Sequence, residues 1–225
     1  MNAVTPRKMD TQKMVNLALL AAIAYVVMLV GRVPVVLFLK YDPKDVVIAI
    51  GGFIYGPMAA FGISLVVSFV EMLTTSTTGP IGFVMNVLSS CAFSCTAAVI
   101  YKRNKSIKGA IAGLIAGALL TTAVMMLWNY LITPLYMKVE REYVKTLLIP
   151  AFLPFNLLKG GLNAGLTMLL YKPLVSTLRK MHLIPESESA TLSEGSRTSY
   201  TGILLLSGVV VITCILAILV MKGLI

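Results

Sequence analysis

Asn156 and Lys159 stand three residues apart within an apolar run from Phe152 to Tyr171. On a helix that spacing puts both on one face with Gly160 and Asn163, while Leu157, Leu158 and Leu162 point elsewhere. A lysine centred in hydrocarbon costs roughly 2.5–3.5 kcal/mol on insertion scales, so a chain that keeps one has a use for it. Lys159 can snorkel to the headgroups or face inward as a ligand-binding group, and the asparagine beside it favours the second reading. A second feature is Phe38-Leu39-Lys40-Tyr41-Asp42-Pro43-Lys44-Asp45, a charged, aromatic-bearing loop between two segments apolar enough for lipid. A loop able to fold over polar groups held in an apolar bundle describes a pocket for a small polar molecule.

Other polar groups carry two readings each. Trp128-Asn129-Tyr130 followed by Pro134-Leu135-Tyr136 fits an interfacial aromatic belt. Asn129 also offers both a donor and an acceptor, which suits the edge of a heterocycle. Asn86 either bonds a neighbouring helix or meets the ligand. Glu71 is expected to be solvated at the mouth of its helix, and His182 has no assigned role. No GxxxxGK[ST] phosphate loop, HExxH or GxSxG occurs, and no pair of carboxylates lies deep in one span. The pocket therefore comes without an engine, and neither ATP hydrolysis nor intramembrane catalysis has a residue set to run it.

These side chains must be positioned by helices in a bilayer. Of 225 residues 58% are hydrophobic and only 12% charged, against about 25% charged in soluble domains. Spans are expected at about 12–31, 44–54 (short), 57–73, 80–101, 107–131 and 152–177. An acidic, serine-rich linker, Leu183 to Ser199, should be disordered and leads to a seventh span at about 200–221. The fold class is an all-α polytopic membrane bundle: residues 1–182 form a six-helix domain, 183–199 a linker and 200–225 an extra helix. Arg7, Lys8 and Lys13 precede the first span without a clear cleavage site, so it is read as retained.

The net charge of +10 falls in short clusters between spans, which is the positive-inside pattern rather than a nucleic-acid surface. It puts the N-terminus in the cytoplasm and the loops after the first, third and fifth spans outside; the seventh span then puts the C-terminus outside. Cys91, Cys95 and Cys214 read as core thiols, with no metal site. Gly109, Gly113 and Gly117, and Gly161 and Gly165, recur every fourth residue and let helix backbones approach. Ala18 and Ala22 form a similar pair on the first span, suited to internal packing or to docking another membrane subunit.

Taken in order, Phe38-Leu39-Lys40-Tyr41-Asp42-Pro43, Gly51-Gly52-Phe53-Ile54-Tyr55-Gly56-Pro57, Trp128-Asn129-Tyr130 and Phe155-Asn156-Leu157-Leu158-Lys159-Gly160 resemble the riboflavin-specific S component of energy-coupling factor (ECF) transporters. The likeness spans about residues 10–180. It implies a six-helix subunit that captures riboflavin from outside beneath its first outer loop. The partners it implies are a transmembrane coupling subunit and two ABC ATPase subunits, with the S component toppling in the membrane to deliver its cargo. It further implies flavin contacts at Leu39, Lys40, Tyr41, Asp42, Asn129, Asn156 and Lys159, and docking of the coupling subunit on Ala18 and Ala22. Riboflavin would be the transported ligand, with no resident cofactor or metal. Flat walls for the ring are available from Phe38, Tyr41, Trp128, Tyr130 and Phe152. The seventh span departs from the family pattern. Rival readings are an S component for thiamine, biotin or pantothenate, an intramembrane enzyme, and a membrane scaffold in which the buried Asn and Lys act as interhelical glue.

Overall fold

Long apolar segments dictate the architecture, because a bilayer leaves backbone groups no partner except within a helix. The computed structural model describes residues 11–37, 39–180 and 197–223. In chain order these form α1 (Thr11–Gly31), a hairpin of β1 (Val33–Val36) and β2 (Leu39–Tyr41), α2 (Lys44–Tyr55), α3 (Pro57–Thr74), α4 (Gly79–Arg103) and α5 (Ile107–Met137). There follow α6 (Arg141–Leu147), a π-helical turn at Leu148–Phe152, α7 (Leu153–Lys180) and α8 (Arg197–Met221). Among the described residues six helical stretches are long and apolar enough to cross a membrane. The 12-residue α2 is about 18 Å long, too short to cross about 30 Å of hydrocarbon. It is instead the buried centre of the bundle, with every residue from Lys44 to Phe53 shielded.

Helix starts follow local chemistry. The Ser106 side chain accepts the Gly109 N–H at 3.0 Å and caps α5. Pro57 and Pro80 occupy first turns, where a missing N–H costs nothing. Pairwise packing follows the small residues. A Cβ at Gly113 or Gly117 would meet the Ala97 or Phe93 carbonyl oxygen at 2.7 and 2.5 Å, so α5 lies directly on the α4 backbone. Gly161 and Gly165 do the same service for α8. A Cβ at Gly161 would reach Cys214 Sγ at 3.2 Å, and one at Gly165 would reach Val211 at 2.8 Å. These pairings, with Leu157 and Leu158 near Ala217 and Met221, set α8 antiparallel to α7.

Three elements differ from the sequence reading. The segment expected as a loop is an antiparallel hairpin pairing Val33 with Tyr41, Pro34 with Lys40 and Val36 with Leu39. Its strands hold β-branched Val33, Val35 and Val36, and Leu37 turns the corner at φ 51°. Phe38 lies outside the described residues. α5 does not stop at 131 but runs through Pro134 to Met137, where Lys138 at φ 55° ends it. A proline so near the C-terminus removes one helical hydrogen bond, and membrane helices accommodate that loss. The entry to α7 is not a plain loop either. Pro150 and Pro154, four apart, both lack an N–H, and the chain passes them through the π turn after α6. The Leu183–Ser199 linker falls outside the described residues up to 196, and its last three residues, Arg197 to Ser199, are not disordered but already helical in α8.

Candidate ligand-binding site

A cavity of about 260 Å³ opens beneath the hairpin, enclosed by α3, α4, α5 and α7. That is close to the lower end, about 300 Å³, of small-molecule sites. Each wall is set by helical periodicity. Met125, Asn129 and Tyr136 come from one face of α5, and Phe155, Asn156 and Lys159 from one face of α7. Asn86 and Ser89 line it from α4, and Leu39, Lys40 and Asp42 come from the hairpin and the turn after it. Six of the seven residues proposed as ligand contacts thus share one cavity.

Tyr41 is the seventh, and it lies off the cavity wall. Its hydroxyl donates to Asn163 Oδ1 at 3.0 Å, deep beneath the hairpin. Burial, with Asp45, Asp42 and Cys214 close by, raises the phenol well above its usual range, so it stays protonated and serves as a donor. The aromatic walls also differ from expectation. Tyr136 and Phe155 face the cavity, whereas Trp128, Tyr130 and Phe152 do not. For Trp128 and Tyr130 the reason is angular: flanking Asn129, they are rotated about 100° to either side of the lining face, whereas Phe152 ends the π turn that precedes α7. Tyr130 instead lies under the Arg141 guanidinium, 5.7 Å from ring centroid to Cζ, and Phe152 is fully buried.

The two asparagines are held by their own helices. Asn129 donates to the Met125 carbonyl at 2.8 Å and accepts from Thr133 at 2.9 Å, while Asn156 donates to the Phe152 carbonyl at 2.8 Å. Each amide retains capacity for further bonds, so it presents a fixed polar edge to the cavity. Lys159 Nζ lies 3.4 Å from Asp45 Oδ2 and 3.5 Å from Ser89 Oγ, with its side chain only 11% exposed. It points inward and does not snorkel.

Glu71 is the clearest departure from the sequence reading. It is not solvated: its carboxylate is buried and pairs with both Lys44 and Arg32. Arg32 also lies 3.8 Å from Asp42. Burial alone would raise the Asp42 carboxyl, but the charges of Lys44, Lys159 and Arg32 outweigh it and hold the group below the usual range. One of its oxygens, Oδ1, is buried with no hydrogen-bond partner among the described residues. A buried, unsatisfied carboxylate oxygen on a cavity wall is a ready acceptor for a ligand hydroxyl.

Ala18 and Ala22 are exposed on the outer side of α1, between exposed Met14, Val15, Leu19 and Val26, while Ala21 and Ala24 turn into the core. Among the described residues nothing shields the first pair from the surface.

Comparison with known proteins gives this geometry a family. The model for the substrate-specific component of ECF transporters matches residues 12–171. The riboflavin transporter RibU of Staphylococcus aureus (strain TCH60) is 29% identical over 187 residues, covering 78% of this chain and 98% of its own length. The riboflavin transporter FmnP of Bacillus subtilis (strain 168) is 29% identical over 191 residues, covering 78% of this chain and all of its own. A solved structure of the S component of a bacterial ECF transporter superposes with a TM-score of 0.63 at 30% identity, covering 75% of this chain and 98% of that one. These relatives are named as transporters, which removes the intramembrane-enzyme reading, and α8 lies beyond the matched residues. The chain belongs to the family of ECF transporter substrate-specific components, and is a multi-pass membrane protein of that family.

Proposed function

We propose that this chain binds riboflavin and serves as the capture subunit of an ECF-type importer. The observation that carries the reading is the cavity under the hairpin, with mixed amide donors and acceptors and an ion-paired lysine on its walls. Riboflavin is uncharged, and its ring edge alternates donors and acceptors. Asn129 and Asn156 match that edge, Lys159 donates to a ring carbonyl, and Tyr136 and Phe155 flank the ring. Asp42 and Lys40 meet the ribityl hydroxyls, and Leu39 closes the roof. Tyr41 acts one step back, anchoring the hairpin to Asn163.

The ion pair also argues against the rival vitamins. Biotin and pantothenate carry a carboxylate, which calls for an unpaired cation, and thiamine is itself a cation; Lys159 is already matched by Asp45. The named riboflavin transporters among its relatives support the same ligand.

In this reading the hairpin end faces outward, the N-terminus is cytoplasmic, and α8 returns the C-terminus to the outer side. Ala18 and Ala22 dock a coupling subunit, which two ABC ATPases drive. The division of labour is testable in proteoliposomes. The chain alone should bind riboflavin without accumulating it, and uptake should require the coupling subunit, both ATPases and ATP. Accumulation by the chain alone, or no uptake by the full assembly of a binding-competent chain, would refute the capture-subunit role.

A further inference from the structure

Lys159 reaches the cavity as one half of an ion pair whose other half does not. Asp45 sits fully buried in the first turn of α2 and is absent from the cavity wall. Its Oδ2 faces Lys159 Nζ at 3.4 Å and accepts from Asn163 Nδ2 at 3.3 Å, while Oδ1 accepts from Ser90 Oγ at 2.5 Å. A buried carboxylate is costly unless paired and hydrogen-bonded, and here donors from α4 and α7 fix it on both oxygens. The other ions under the hairpin also pair among themselves, Arg32 and Lys44 with Glu71, and Arg32 with Asp42. Among these shielded ions Arg32, Lys44 and Lys159 therefore balance Asp42, Asp45 and Glu71, while the exposed Lys40 stands at the solvent side of the cavity.

The geometry points to Asp45 as the specificity-determining residue of the site: by cancelling the Lys159 charge from behind, it makes the cavity choose an uncharged ligand over an anionic one. Asp45 does not touch the ligand. It is a positioning residue that converts Lys159 from an anion trap into a hydrogen-bond donor, and Ser90 and Asn163 hold it there. Without Asp45 the cavity would carry a net buried cation. At an effective dielectric near 20, a unit charge about 10 Å from an anionic group changes affinity on the order of tenfold or more.

This inference rests on the flavin-binding reading, and the test separates the two. The probes are riboflavin and flavin mononucleotide, which adds an anionic phosphate, each titrated against full-length detergent-solubilised protein. The variants form a charge series: Asp45→Asn adds one positive charge, Lys159→Gln adds one negative charge, and the double variant restores neutrality. Relative to wild type, Asp45→Asn should shift the affinity ratio toward the mononucleotide by about tenfold or more. Lys159→Gln should shift it the other way, and the double variant should return it close to wild type although both affinities fall. A purely structural Asp45 would weaken both flavins equally and leave the ratio alone. If Asp45→Asn does not fold, folding of the double variant with the wild-type ratio, together with the opposite shift in Lys159→Gln, carries the proposal. A ratio constant within about twofold across the folded variants overturns it, as does riboflavin binding throughout with no mononucleotide binding in any. Failure of wild type to bind riboflavin would instead remove the functional reading itself.

Discussion

Lys159 and Glu71 are both ionisable side chains in apolar helices, and their surroundings give them different tasks. Lys159 keeps one side on the cavity and the other on Asp45. Replacing it with alanine takes away the charge partner of Asp45 but leaves Ser90 and Asn163 bonded to it, so the bundle should lose stability yet stay folded while riboflavin loses a donor. Lys159→Ala and Asn156→Ala should each weaken binding ten- to a hundredfold, about 1.5–3 kcal/mol for a lost polar contact, with an unchanged helical circular dichroism spectrum. Unaltered affinity in both would remove them from the site. Glu71 holds the buried Lys44 as well as Arg32, and its loss strands Lys44 while Arg32 keeps Asp42. Glu71→Ala should destabilise the protein by about 3–5 kcal/mol, read as a large drop in thermal midpoint, and a midpoint within a degree or two of wild type would contradict this. The two residues also differed in legibility. Lys159 and Asn156 announce themselves by helical spacing inside an apolar run. Glu71 and its partner Lys44 are 27 residues apart on different helices, so no local pattern joins them, and a charge near a helix end resembles a solvated one.

The elements that position the site are unevenly legible in the sequence for a physical reason. Six long apolar spans are legible because the bilayer permits little else. The hairpin strands of four and three residues are too short to show alternation, and Pro34 argues against a strand unless it lies at an edge. Its link to the bundle, Tyr41 to Asn163, spans 122 residues and is invisible in sequence. Asn163→Ala should free the hairpin from that tie and speed riboflavin release in stopped-flow fluorescence, with little change in the association rate. An unchanged release rate would show that the tie does not restrain the lid. α8 packs Cys214, Val210 and Val211 into a cluster with Val35, Tyr41 and Phe155, so it braces α7 and the hairpin together. On α1, the exposed Ala18 and Ala22 offer a smooth stripe to a neighbour. Ala18→Leu should leave riboflavin affinity intact and cut uptake by the assembled transporter several-fold, and undiminished uptake would place the docking face elsewhere.

At the scale of the whole molecule, polar and aromatic groups separate along the bundle. Polar groups gather under the hairpin, while Phe53, Tyr101 and Tyr171 pack as a tilted and edge-on aromatic cluster toward the far ends of α2, α4 and α7. The Tyr101 and Tyr171 hydroxyls approach to 3.4 Å within it. A ligand entering beneath the hairpin has this aromatic cluster on the far side of the bundle. The cavity under the hairpin is proposed as a single, selective riboflavin site. Titrating riboflavin with the purified, detergent-solubilised protein and following quenching of flavin fluorescence tests it most directly. Quenching should be saturable and one-to-one, competed away by other flavins and not by thiamine, biotin or pantothenate. Absence of quenching by well-folded, ligand-free protein would contradict it.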